Sequence, residues 1–82
     1  MKKVIFIYAD GCSDCERMRK VLENYRGRVD ILEAEADDER AVDLAISGGI
    51  EDLPGCSFGG NVFEGEKFSS KKLDEELKKY CE

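Results

Sequence analysis

The sequence predicts an α/β fold, a four-stranded mixed sheet with helices on both faces, in the order β-α-β-α-β-β-α. Three observations carry this. An apolar run, Val4 to Tyr8, is followed at once by apolar residues at helical spacing. A second strand-then-helix pattern follows it. Two short apolar runs then flank Gly59-Gly60-Asn61 and read as a hairpin. Strands joined through a helix run parallel with a right-handed crossover, whereas a hairpin adds antiparallel strands, so the sheet is mixed.

The elements follow in order. Val4 to Tyr8 is continuously apolar, the pattern of a strand buried on both faces. Cys15, Met18, Val21-Leu22 and Tyr25 then recur three and four apart, with Glu16, Arg17, Arg19, Lys20 and Glu23 on the other side. That is an amphipathic helix, and Gly27 is expected to stop it. Val29 to Ala34 reads as the second strand, with Val29, Ile31 and Glu33 alternating against Asp30 and Leu32. Asp37-Asp38-Glu39 offers an N-cap and an acidic first turn to a helix whose apolar face is expected at Ala41-Val42, Ala45 and Ile46. Gly48-Gly49 ends that helix. Pro54, the only proline, precedes the hairpin of Cys56-Ser57-Phe58 and Val62-Phe63-Glu64. Ser70 is expected to cap a last helix carrying Leu73, Leu77 and Tyr80 on one face.

At 82 residues the chain is expected to form a single domain over 1–82, and no internal repeat or linker interrupts it. A net charge of -6 argues against nucleic acid and anionic membrane as partners, since phosphate contact needs a clustered basic surface. The lysine pairs Lys71-Lys72 and Lys78-Lys79 are interleaved with Asp74, Glu75 and Glu76, the composition of a solvated helix face. No stretch reaches the length of a membrane span. Met1-Lys2-Lys3 and the apolar run after it fall short of a secretory signal, because Asp10 ends the run without a cleavage pattern. The cytoplasm is the expected compartment, where thiols stay reduced. There is no histidine, which removes Cys-His catalysis and Cys/His zinc sites, and the paired knuckles of a four-cysteine zinc site are absent. No metal and no cofactor is expected.

The chemistry lies in Cys12-Ser13-Asp14-Cys15. Cys12 falls at the strand-to-helix turn and Cys15 in the first helical turn, on one face and within reach of a disulfide. The helix start presents unpaired N–H groups and a positive dipole end to Cys12, which favour a thiolate. Asp10, Asp14 and Glu16 add negative charge that acts in the opposite direction. A less stabilised thiolate predicts a disulfide that is hard to reduce, and hence a reducing protein. Cys56 reads as a core cysteine of a strand or as a neighbour of the pair, and Cys81 as a bystander near the C-terminus.

A C-x-x-C after the first strand of a β-α-β unit, followed by Asp52-Leu53-Pro54 entering a hairpin, resembles the thioredoxin superfamily on its shorter, glutaredoxin-like side. The resemblance spans essentially the whole chain. It implies a dithiol–disulfide oxidoreductase with Cys12 as nucleophile and Cys15 as resolving thiol. It also implies a cis Leu53-Pro54 bond packed against the pair, with the backbone of Leu53 offered to an extended substrate. Gly11, Ser13 and Asp14 complete the substrate-binding surface that the resemblance implies. Protein disulfides and an electron-donating reductase are the implied partners of a monomer. Ser13-Asp14 stands where thioredoxins carry Gly-Pro and glutaredoxins Pro-Tyr, and Glu64-Gly65 where glutaredoxins carry a glycine pair. Glutathione bears two carboxylates, so Asp10, Asp14 and Glu64 disfavour it.

The alternative is a small copper chaperone, which binds Cu(I) through the two thiolates of a C-x-x-C between a first strand and a helix. Its element order is β-α-β-β-α-β, ending in a strand.

Overall fold

The computed structural model describes residues 2–82. Its elements are β1 (Lys3–Tyr8), α1 (Ser13–Glu23), β2 (Asp30–Glu35), α2 (Arg40–Gly48), β3 (Gly55–Phe58), β4 (Asn61–Glu64) and α3 (Ser70–Cys81). The sheet order is β2-β1-β3-β4. β1 runs parallel to β2, with Lys3 opposite Asp30 and Tyr8 opposite Glu35. It runs antiparallel to β3, with Ile7 opposite Gly55, and β3 is antiparallel to β4. The expected mixed sheet is present, and α2 follows β2 where the copper-chaperone order has a strand.

Successive side chains of a strand point to opposite faces, so β1 supplies both halves of the core. Val4 and Phe6 face α1 and α3, where they pack with Met18, Leu22, Phe58, Leu73 and Leu77. Ile7, with Ile5 beside it, faces α2 and packs with Ala34, Ala41 and Ile50. Helices therefore cover both faces. β1, one of the two inner strands, holds the two layers together.

Several local expectations change. α1 ends at Glu23, before Gly27, because the chain tightens into i→i−3 turns: the Tyr25 N–H donates to the Leu22 carbonyl at 2.9 Å. Tyr25 is nonetheless buried, and its hydroxyl donates to the Asp74 carboxylate of α3 at 2.6 Å. The second strand begins at Asp30, one residue later than expected, and Glu33 leaves the apolar alternation to accept from Arg19 and Arg26. Ser69, not Ser70, caps α3, accepting the Lys72 N–H at 3.2 Å.

The inward face of α2 also differs. Ala41, Leu44 and Ala45 pack on the sheet, while Val42 and Ile46 are 62% and 74% exposed. The sequence is apolar in two overlapping registers, and the inward one includes Leu44; a Cβ on Gly48, at the end of this helix, would come within 2.9 Å of Ser57 in β3. At the hairpin, Gly59 and Gly60 take φ values of 53° and 83°, the paired positive angles that a two-residue turn matching strand twist requires. Among the described residues no helix is long and apolar enough to cross a membrane.

Candidate functional site

The site grows from the C-terminal end of β1. After Tyr8, the chain passes Ala9 and Asp10 and turns through Gly11 at φ 69°, a left-handed angle that suits glycine. Cys12 follows as the N-cap of α1, with extended backbone angles. Its sulfur accepts the N–H of Cys15 at 3.1 Å, in the place where a serine or aspartate oxygen usually sits. Ser13 begins the helix and is exposed, and Asp14 is half-buried beside it.

Burial separates the two thiols. Cys12 is partly exposed, whereas Cys15 is 1% exposed beneath it. Burial pushes the Cys15 thiol up to about 11, helped by its hydrogen bond to Cys12 and by the charges of Cys12 and Asp14. The Ala9 N–H, 3.4 Å from the Cys15 sulfur, works the other way. Cys15 therefore keeps its proton. Cys56 is fully buried in the strand β3, and burial alone pushes it up to about 12. It belongs to the core. Cys81 lies in α3, partly buried against the same core. Among the described residues no three cysteine, aspartate or glutamate side chains converge in a way that could hold a metal ion.

The Leu53-Pro54 bond is cis and Pro54 is fully buried. β3 starts at the next residue, with Gly55 opposite Ile7. One step further along that register lie Tyr8 and Pro54, so the proline stands at the end of β1 from which the cysteine loop departs. Leu53 packs on the α2 side of the sheet. Its N–H donates to the Asp52 carboxylate at 2.8 Å, and the N–H groups of Glu51 and Asp52 both donate to Glu64 Oε1, at 2.6 and 3.1 Å. Carboxylates thus hold three consecutive amides ahead of Pro54. Gly65, which follows Glu64, donates its N–H to the Pro54 carbonyl at 2.9 Å.

Two of these side chains carry more than the sequence suggested. Arg17, read there as part of a solvated face, bonds to Asp14, to the carbonyls of Glu66 and Phe68 and to Ser70 Oγ. Its spacing from Asp14 was the available signal, since residues three apart on a helix meet. Glu64, read as a repellent charge, is a cap for the loop before Pro54. No local pattern announces that.

The same architecture occurs in solved structures. An uncharacterized thioredoxin-like protein from Clostridium perfringens matches with a TM-score of 0.69 and 21% identity, over 98% of this chain and 71% of its own. A mutant thioredoxin from Halobacterium salinarum matches at 0.68 and 20% identity, over 98% of this chain and 74% of its own. The fold is the thioredoxin fold. Oxidized mitochondrial thioredoxin 3 from Saccharomyces cerevisiae superposes too, at 0.65 and 21% identity, over 95% of this chain and 77% of its own. No family model matches the sequence, and no curated protein matches it. Within this thioredoxin fold, Cys12 and Cys15 lie at the start of α1 and the cis proline at the start of β3.

Proposed function

We propose that the protein is a dithiol–disulfide oxidoreductase that reduces protein disulfides. The observation that carries this reading is the difference in burial between the two neighbouring sulfurs. Cys12 is accessible and accepts the Cys15 N–H, while Cys15 is buried and protonated. The Cys12 thiolate attacks one sulfur of a substrate disulfide, forming a mixed disulfide and expelling a thiolate that takes a proton from solvent. Cys12 then carries no negative charge. Two of the influences that held the Cys15 proton, the hydrogen bond to Cys12 and its charge, disappear at that step. Cys15 loses its proton and attacks Cys12, releasing the second substrate thiol. Dithiol plus substrate disulfide becomes protein disulfide plus two thiols, a transfer of two electrons.

Gly11, Ser13 and Asp14, with Leu53 held in place by the buried Pro54, form the surface on which the substrate lies. The protein works as a monomer in the cytoplasm, and a reductase returns electrons to the disulfide. No resident cofactor is needed.

Insulin reduction tests the reading, run with dithiothreitol, with a thioredoxin-reductase system and with glutathione as electron donor. Wild type should turn over with dithiothreitol, Cys12→Ser should not, and Cys15→Ser should accumulate a mixed disulfide through Cys12. Absence of turnover by the wild type with every donor would remove the proposal.

A further inference from the structure

Arg17 has no part in the exchange described above, yet all four of its terminal N–H groups are engaged. Nη1 donates to the Phe68 carbonyl at 3.1 Å and to Ser70 Oγ at 3.0 Å. Nη2 donates to the Glu66 carbonyl at 3.0 Å and to Asp14 Oδ1 at 3.4 Å. The guanidinium also lies over the Phe68 ring, 3.9 Å from its centre. Three of the four bonds and the stacked ring come from the segment between β4 and the start of α3. The charge is therefore fixed from outside α1, and Asp14 comes to it.

The direction of that contact matters. Asp14 lies between the two cysteines, in the first turn of α1. Side chains of a helix lean toward its N-terminus, where unpaired N–H groups and the positive dipole end attract a carboxylate. Without Arg17, that attraction draws the Asp14 carboxylate toward the end of α1 on which Cys12 lies. Arg17 is one turn further along and draws it the other way. We propose that Arg17 is a positioning residue for the dithiol: it holds the Asp14 carboxylate away from Cys12 and so sets the balance between dithiol and disulfide. This rests on the dithiol reading above. Lysine cannot take the place of Arg17, because an ammonium lacks the planar fork that meets the carbonyls, Ser70 and Asp14 together.

The balance is read from the reaction of protein disulfide with two glutathione molecules, giving protein dithiol and one glutathione disulfide. Removing Arg17 brings negative charge toward the thiolate, so the dithiol becomes less favoured. Arg17→Gln should lower the equilibrium constant for its formation by roughly threefold, which is about 14 mV for a two-electron couple. Arg17→Lys should follow Arg17→Gln, and in an Asp14→Asn background the effect of Arg17→Gln should shrink to half or less. Should Arg17→Gln fail to fold, Ser70→Ala removes one anchor of the guanidinium and should shift the constant the same way by less. An unmoved constant, full rescue by lysine, or an equal shift in the Asp14→Asn background would each overturn the inference. A wild type that forms no Cys12–Cys15 disulfide would overturn the dithiol reading and this inference with it, whereas a normal disulfide with an unmoved constant strikes only the inference.

Discussion

The backbone N–H of Cys15 donates to the sulfur of Cys12 at 3.1 Å, so the accessible thiol is also the cap of its own helix. In the proposed exchange, chemistry and structure share one atom there, and substitution separates them. Cys12→Ser keeps a good capping oxygen and should melt within a few degrees of wild type while losing all disulfide exchange. Cys12→Ala loses the cap as well and should be less stable by about 0.5–2 kcal/mol. Thermal unfolding of the reduced proteins, beside insulin reduction, checks the pair. Equal stability of the two variants would show that the sulfur does not cap α1.

Stability at high pH should depend on the redox state. Burial raises Cys15 to about 11 from a usual value of 9.0 and Cys56 to about 12, and burial raises Tyr25 to about 12 from 10.0 with help from Asp74. A group that holds its proton more tightly when folded adds stability that is complete below its unfolded value. That stability is lost as the pH rises through the folded value. The reduced protein should therefore weaken from about pH 9 upward. In the oxidised protein Cys15 has no proton to lose, so the decline should be shallower, and Cys56→Ala should flatten it further. Urea unfolding of both redox states across the alkaline range measures this. Parallel curves would mean that Cys15 titrates like an ordinary thiol.

Much of this was legible in the chain because the deciding patterns are local. The apolar run of β1, the three-and-four spacing of Cys15, Met18 and Leu22, and the glycine pair at the hairpin each specify an element without reference to the rest. The cysteines and the proline were legible for the same reason, being short motifs placed by those elements. The inward face of α2 was not. Val42 and Ile46 are better hydrophobes than Ala41 and Ala45, yet the register that turns inward is that of Ala41, Leu44 and Ala45. Arg17 finds three of its partners 49 to 53 residues away, and the caps of Glu64 depend on the pairing of β4 with β3. Tertiary partners of that kind leave no periodic trace.

Gly55 should tolerate no side chain. It is the first residue of β3, directly after the cis proline and opposite Ile7. A Cβ built on it would collide with the Ile50 side chain and come within 3.0 Å of the Asp52 carbonyl. Ile50 is buried and cannot swing into solvent. Overpacking of this kind costs about 1–3 kcal/mol, so Gly55→Ala should lower the melting temperature by several degrees. Gly27→Ala meets no atom within 4 Å and takes no positive φ, so it is the control. A Gly55→Ala variant as stable as Gly27→Ala would show that the strand can shift to make room.

Glu64 should matter to protein substrates more than to the thiols themselves. It sits opposite Gly55 at the end of β4, and from there its carboxylate reaches back to the N–H groups of Glu51 and Asp52. The next amide, that of Leu53, is held by Asp52, whose other carboxylate oxygen fills the space beside Gly65 that a Cβ there would enter to 2.9 Å. The loop before Pro54 is thus shaped by two carboxylates, together with the packing of Leu53 on the α2 side of the sheet. Glu64→Ala should speed hydrogen exchange at Glu51 and Asp52 and cost about 1 kcal/mol of stability, the usual net worth of such bonds where water can compete. Glu64→Gln keeps an acceptor oxygen and should fall between. Because Leu53 and Pro54 follow directly, the looser loop should slow insulin reduction severalfold, while the equilibrium of the cysteine pair with dithiothreitol stays at its wild-type value. Kinetics and equilibrium are read on the same samples. If both change together, Glu64 acts on the cysteine pair and not on the loop; if neither changes, the loop keeps its shape without the cap.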